Sequence, residues 1–241
     1  MRADDRDGLR VYRFETLPDA VDALVTTRRD DLDLSSKVRD DHAPRLFRTY
    51  GLPDRAVWCK QVHSDVVAHV DAPQLVNGAD ALITNTPGLP LCVIMADCVP
   101  VLAYDPEHHA LGLAHAGWQG TCARIASASV RAMTARFGTD PAAVIAAIGP
   151  SIGPEEYEVG EDVITRARDA YGSDAPILRE LGGGKALFDL WAANELDLRS
   201  AGVTQIEVAG VSTARALDEF YSHRREPHVT GRFATVAVLA T

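Results

Sequence analysis

Leu91-Cys92-Val93-Ile94-Met95, then Ala96-Asp97-Cys98, then Val99-Pro100-Val101-Leu102-Ala103-Tyr104 is the stretch on which the fold turns. The first five residues are all apolar, with Pro90 before them and Asp97 shortly after. Such a run is short for a helix and lacks the alternation of a half-solvated strand, so it fits a strand buried on both faces. The second run continues it or begins a neighbour, and Pro100 must then sit where the ladder needs no donor. Asp105-Pro106-Glu107 reads as a turn, and Ala110-Leu111-Gly112-Leu113-Ala114 as the returning strand.

Working toward the C-terminus, Cys122, Ile125, Ala126, Ser129, Met133 and Phe137 share one helical face, which predicts a helix over 121–137 ended by Gly138. A strand is expected over 142–148. Residues 149–154 carry too much Gly and Pro for anything but a loop. Helices follow near Glu161–Tyr171 and 189–201, the second closed by Gly202, and Ile206-Glu207-Val208 makes a short strand. Phe233–Leu239 is the last strand, expected to pair with the segment 220–223. Toward the N-terminus the chain is most polar, and Arg28-Arg29-Asp30-Asp31 and Arg39-Asp40-Asp41-His42 read as exposed loops. Strands and helices mix without strict βαβ alternation. The expected fold class is therefore α+β, with mixed β-sheets flanked by helices. No linker is evident, so residues 1–241 are read as a single domain.

The 241-residue chain is 46% hydrophobic and 24% charged, the balance of an ordinary globular protein. A formal charge of −10 argues against nucleic acid and anionic membrane surfaces as partners. No apolar run is long enough to span a bilayer. The charged start Met1-Arg2-Ala3-Asp4-Asp5 leads into no signal-like apolar segment. Cys59, Cys92, Cys98 and Cys122 form no C-x-x-C pair and no disulfide framework, which suits reduced thiols and a cytoplasmic location.

Three places concentrate reactive side chains: Gln61-Val62-His63-Ser64, Ala96-Asp97-Cys98-Val99-Pro100, and His115-Ala116-Gly117-Trp118-Gln119-Gly120. His63, Cys98 and His115 have the composition of a three-ligand zinc or copper site with its fourth position open. Their wide spacing requires a fold to bring them together, and a lone His or Cys beside an apolar strand is more often a packed core residue. The same residues also permit a metal-free mechanism. Cys98 would be the nucleophile, His115 its base, the Gly117 and Gly120 amides an oxyanion site, and Asp97 a proton carrier or histidine-orienting group. Ser222-His223-Arg224-Arg225 and Thr230-Gly231-Arg232 form a basic cluster suited to an anion, or equally to salt bridges with Asp218, Glu219 and Glu226. Trp118 and Trp191 read as core, and Gly182-Gly183-Gly184-Lys185 is not a phosphate loop.

In order and spacing from Gln61 to the C-terminus, these motifs resemble the YfiH-like, or laccase-domain, family. Gln61-Val62-His63, Ala96-Asp97-Cys98-Val99-Pro100, His115-Ala116-Gly117-Trp118, Phe220-Tyr221-Ser222-His223-Arg224-Arg225 and Thr230-Gly231-Arg232 carry the likeness. Asp80-Ala81-Leu82-Ile83-Thr84, Gly149-Pro150-Ser151-Ile152-Gly153, Tyr157-Glu158-Val159 and Asp189-Leu190-Trp191 support it. The resemblance implies that His63, Cys98 and His115 hold zinc or copper, on an α+β fold that also resembles the cytotoxic-necrotizing-factor toxins. It implies phosphorolysis of adenosine, inosine, guanosine and methylthioadenosine, and adenosine deamination, with a small-molecule nucleoside and phosphate as partners; the chain itself is expected to be a monomer. Arg224, Arg225, Arg232 and Gln61 become the candidate substrate-binding residues, and Asp97 the candidate acid or base beside Cys98 and His115. Three departures stand out: Gln119 replaces a basic residue, His223 replaces a tyrosine, and a glycine-rich pattern is poorly kept over 26–39. The alternative is a cysteine amidase editing peptidoglycan precursors through Cys98 and His115. A multicopper polyphenol oxidase fits least, because eight histidines include no H-x-H pair. A non-enzymatic partner module finds no heptad or apolar stripe to support it.

Overall fold

A computed structural model describes residues 1–228 and 231–241. Along the chain run β1 (Arg2–Arg6), β2 (Leu9–Arg13), β3 (Val21–Thr26), α1 (Arg39–Tyr50), β4 (Val57–Lys60), β5 (Val67–His69), β6 (Leu75–Asn77), β7 (Ala81–Thr84), β8 (Leu91–Met95), β9 (Val99–Asp105) and β10 (Ala110–Ala116). Then come α2 (Trp118–Cys122), α3 (Ile125–Phe137), β11 (Ile145–Ile148), β12 (Glu158–Val159), α4 (Glu161–Tyr171), β13 (Leu178–Gly182), β14 (Lys185–Phe188), α5 (Leu190–Ser200), β15 (Gln205–Val208) and β16 (Phe233–Leu239). The fold class is α+β as expected, with mixed sheets: β4 pairs parallel with β6 and β8, β5 with β7 and β11 with β15, while the other named pairs are antiparallel.

Two large sheets, ordered β1-β2-β3-β16-β8-β4-β6 and β15-β11-β9-β10-β7-β5, carry the core, and β12-β14-β13 form a small third one. The alternation of side chains explains the layering. In β8, Leu91, Val93 and Met95 face one way and Cys92 the other; in β9, Leu102 and Tyr104 oppose Val99, Val101 and Ala103. Leu91, Val93, Met95, Leu102, Leu111, Leu113 and Phe233 share one apolar cluster, so the two sheets pack face to face. Ala114, Ile125, Val130, Met133, Ile164 and Leu198 form a second cluster, which seats α3, α4 and α5 on the outside of one sheet. Leu24, Leu46, Phe47, Val236 and Val238 seat α1 on the outside of the other. This order of helix, sheet, sheet, helix buries both faces of the central strands, and continuous apolar runs are what that demands.

The structure corrects several local expectations. Leu91–Met95 and Val99–Asp105 lie in different sheets, so Ala96-Asp97-Cys98 is the crossover between layers. Phe233–Leu239 pairs with β3 and β8 rather than with 220–223; Phe220 meets Phe233 only through its ring, 5.1 Å away. The helix expected over 121–137 is broken at Arg124, whose φ is 65°. The Arg124 guanidinium lies 4.2 Å over the Tyr171 ring and 3.5 Å from the buried Asp197 carboxylate, contacts that accompany the break. Arg39-Asp40-Asp41-His42 is the first turn of α1, not a loop, because Ala43, Leu46, Phe47 and Tyr50 bury one helical face behind it.

Candidate metal centre

The site forms where the chain passes between the two sheets. His63 follows β4, Cys98 occupies the β8–β9 crossover, and His115 lies near the end of β10. The β9–β10 register sets Pro100 opposite His115 and Val99 opposite Ala116, so Cys98 emerges beside the end of β10. One donor atom from each of His63, Cys98 and His115 lies within 4.8 Å of the others. Cys98 Sγ is 3.9 Å from His63 Nε2. The three residues predicted from the sequence are thus brought together, and no other group of three such side chains comes this close among the described residues.

Asp80 organises them. Its carboxylate is fully buried and accepts from His115 Nδ1 at 3.0 Å, from the backbone amides of Val62, His63 and Ser64, and from Ser64 Oγ. Engaging Nδ1 leaves His115 Nε2 for the site, the usual outer-shell arrangement of a metal-binding histidine. The three amides hold the loop in which His63 adopts a left-handed φ of 62°. Burial opposes ionisation of Asp80, yet the bonds from His115 and Ser64 hold its carboxyl well below the usual range. No functional role was read for Asp80 from the sequence. The available signal was an acid abutting a strand buried on both faces, a place where a charge must be paired.

Gly117 completes the packing. A Cβ there would lie 2.7 Å from His63 Cδ2 and 3.1 Å from Cys98 Sγ. The glycine expected to supply an oxyanion amide is thus also the residue that lets the triad close. Burial pushes the Cys98 thiol up, but the neighbouring His115 and His63 outweigh it and bring the thiol down to about 6. Burial likewise disfavours the His115 cation, but Cys98 and Asp80 raise its pKa to about 9. The donor set fits a thiophilic ion such as zinc: two imidazoles and a readily formed thiolate, their donor atoms within 4.8 Å of one another.

The other predicted residues divide. Asp97, only 8% exposed, accepts from Thr213 Oγ1 and from the Arg224 amide, both at 2.7 Å. Oδ1 therefore ties the crossover to Thr213, and Oδ2 ties it to the turn at 223–225. Gln61 pairs its side-chain amide with the N–H and C=O of Ile94, extending the ladder of β8 past the end of β4. Arg224 lies 4.9 Å over the Tyr157 ring and donates to the Glu158 carbonyl. Arg225 is exposed and lines neither cavity beside the triad, whereas Arg232 lines the larger one. Thr230 lies outside the described residues.

Two cavities meet at the triad. The larger, about 650 Å³, is lined by His63, Cys98 and His115 together with Arg39, Lys60 and Arg232. The smaller, about 290 Å³, is lined by His63 and Cys98 with Trp118, Gln119, Tyr157 and Arg224. Trp118, expected in the core, is half-buried and forms part of this wall. Arg39 and Lys60 were not picked out for this cavity, because a single basic residue opening a charged run or ending a strand carries no signal of its own. No helix of the described residues is long and apolar enough to cross a membrane.

Residues 25–240 match the family described as multi-copper polyphenol oxidoreductase laccase. The chain is 43% identical over 176 residues to a protein of Deinococcus radiodurans named purine nucleoside phosphorylase, covering 73% of this chain and 67% of that one. It is 36% identical over 215 residues to the purine nucleoside phosphorylase YfiH of Escherichia coli (strain K12), covering 86% and 85%. Among solved structures, YlmD from Geobacillus stearothermophilus matches with a TM-score of 0.92 at 29% identity, over 99% of this chain and 98% of that one.

Proposed function

The chain belongs to the multi-copper polyphenol oxidoreductase laccase family, and on that footing we propose that it is a single-ion, metal-dependent purine nucleoside phosphorylase. The observation that carries the reading is the shared wall. His63 and Cys98 line both cavities, so a ligand in either one reaches the triad. Held by His63, Cys98 and His115, zinc or copper would supply positive charge and an open position for an oxygen ligand. Arg39, Lys60 and Arg232 give the larger cavity the positive charge that suits phosphate. Trp118 and Tyr157 give the smaller one aromatic faces that suit a purine. Asp97 and Gln61 act in this reading as positioning residues, since their polar atoms already hold the crossover and the end of β8. Arg224, tied to Tyr157, flanks the base.

Adenosine, inosine, guanosine and methylthioadenosine are the proposed substrates, with adenosine deamination as a second activity of the same centre. The test uses the zinc-loaded protein with each nucleoside, with and without inorganic phosphate, scoring free base, sugar 1-phosphate and ammonia. Phosphate-dependent release of base is expected, and Cys98→Ala is expected to abolish it. Undiminished turnover in that variant would reject the metal centre as the reaction site. The depressed Cys98 thiol beside His115 also favours a second reading, a cysteine amidase working on peptidoglycan precursors. Chelation separates the two: an amidase of this kind survives EDTA and the phosphorylase does not.

A further inference from the structure

We propose that His223 is a further catalytic residue, the group that carries the proton from phosphate to the departing purine. The proposal rests on the phosphorylase reading above. It starts from a geometric fact: four residues, His63, Ala96, Cys98 and His223, line both cavities. His63 and Cys98 are the ion's ligands and Ala96 has no reactive group, which leaves His223 as the exposed ionisable side chain that reaches both sides. The other polar groups nearby are engaged or confined to one cavity, Lys60 to the larger and Tyr157 to the smaller. Asp97 is held at both oxygens, His115 Nδ1 bonds to Asp80, and the Gln61 amide is paired with Ile94. Charged neighbours face His223 from each cavity, Arg39, Lys60 and Arg232 on one side and Asp97 and Arg224 on the other.

The reaction needs a residue in that place. A phosphate oxygen forms a bond to C1′ as the C1′–N9 bond breaks, its electron pair leaving with the purine. Hydrogen phosphate loses its P–OH proton as it becomes the sugar phosphate dianion, and the purine gains one at N7. With phosphate and purine in different cavities, one imidazole touching both gives its proton to N7 and recovers one from phosphate. The backbone is built to hold that ring. Tyr221 and Ser222 are buried, the Arg224 amide donates to Asp97, and the Glu226 amide donates to the Ser222 carbonyl. The turn bearing His223 is thereby fastened to the residue preceding Cys98.

The test compares inosine with 7-methylguanosine, whose base already carries positive charge and departs without protonation. Wild type is expected to cleave both with phosphate. His223→Phe is expected to lose inosine phosphorolysis about 100-fold or more while keeping 7-methylguanosine cleavage within about fivefold. Retained activity on the methylated substrate also shows that the variant is folded. Equal losses on both substrates, or no loss on either, would overturn the proton-carrying role. Wild type inactive on both overturns the phosphorylase reading itself, and this proposal with it.

Discussion

At the scale of single residues, the centre depends on two residues that offer no donor to the ion. Asp80 fixes the His115 ring and, through three backbone amides, the loop of His63. Gly117 matters for what it lacks, because a methyl group would press into His63 and Cys98. His63, Cys98 and His115 were legible in the sequence because residue type and motif announce their chemistry. Asp80 and Gln61 were not legible as supports, because their partners are mostly main-chain atoms from segments distant in sequence. Asp80→Asn keeps the volume but turns an amide toward backbone donors and removes the charge opposite His115. Metal affinity is expected to fall about 10–100-fold, measured by competition against a chelator of known affinity. An affinity within about twofold of wild type would show that Asp80 does not orient the ligands.

At the scale of elements, the strands buried on both faces and the helices Glu161–Tyr171 and Leu190–Ser200 were readable, because burial of a whole element writes a pattern into neighbouring residues. The break between α2 and α3 was not, since no Gly or Pro marks it and its contacts, Asp197 and Tyr171, lie far along the chain. That break lets α2 begin at Trp118, beside the triad, while α3 packs independently on β10. The final strand's partners were misread for a similar reason, since proximity of Phe220 to Phe233 is a side-chain contact and not a ladder. Arg124 pays a left-handed backbone in return for its contacts. Replacing it by alanine or by glycine removes the guanidinium equally, but alanine alone retains the strain. The urea midpoint of Arg124→Gly is therefore expected above that of Arg124→Ala, by about 1 kcal/mol of stability. The reverse order would mean that the helices do not break at this residue in solution.

At the scale of the whole molecule, the centre is a junction between layers. His63 and Cys98 leave strands β4 and β8 of one sheet, and His115 belongs to β10 of the other. An ion bound there ties the two sheets together and favours the folded state by mass action, by about 4 kcal/mol at a thousand times its Kd. Its proton linkage follows from the two shifted groups. The His115 pKa is raised to about 9, so in the metal-free protein its stabilising charge is complete below about 6.5 and fades as pH rises through 9. The Cys98 pKa is lowered to about 6, so its contribution is complete above about 9 and fades as pH falls through 6. Between those limits the pair is largely thiolate and imidazolium, and a metal ion must displace the imidazolium proton to bind. The rise in Tm on adding zinc is therefore expected to grow from about pH 6 to about pH 8.5, and to be absent in Cys98→Ala at every pH. Scanning calorimetry with and without zinc checks both. A shift that shrinks over that range, or that survives loss of Cys98, would place the ion elsewhere, because binding at this junction needs the Cys98 thiolate and the release of the His115 proton.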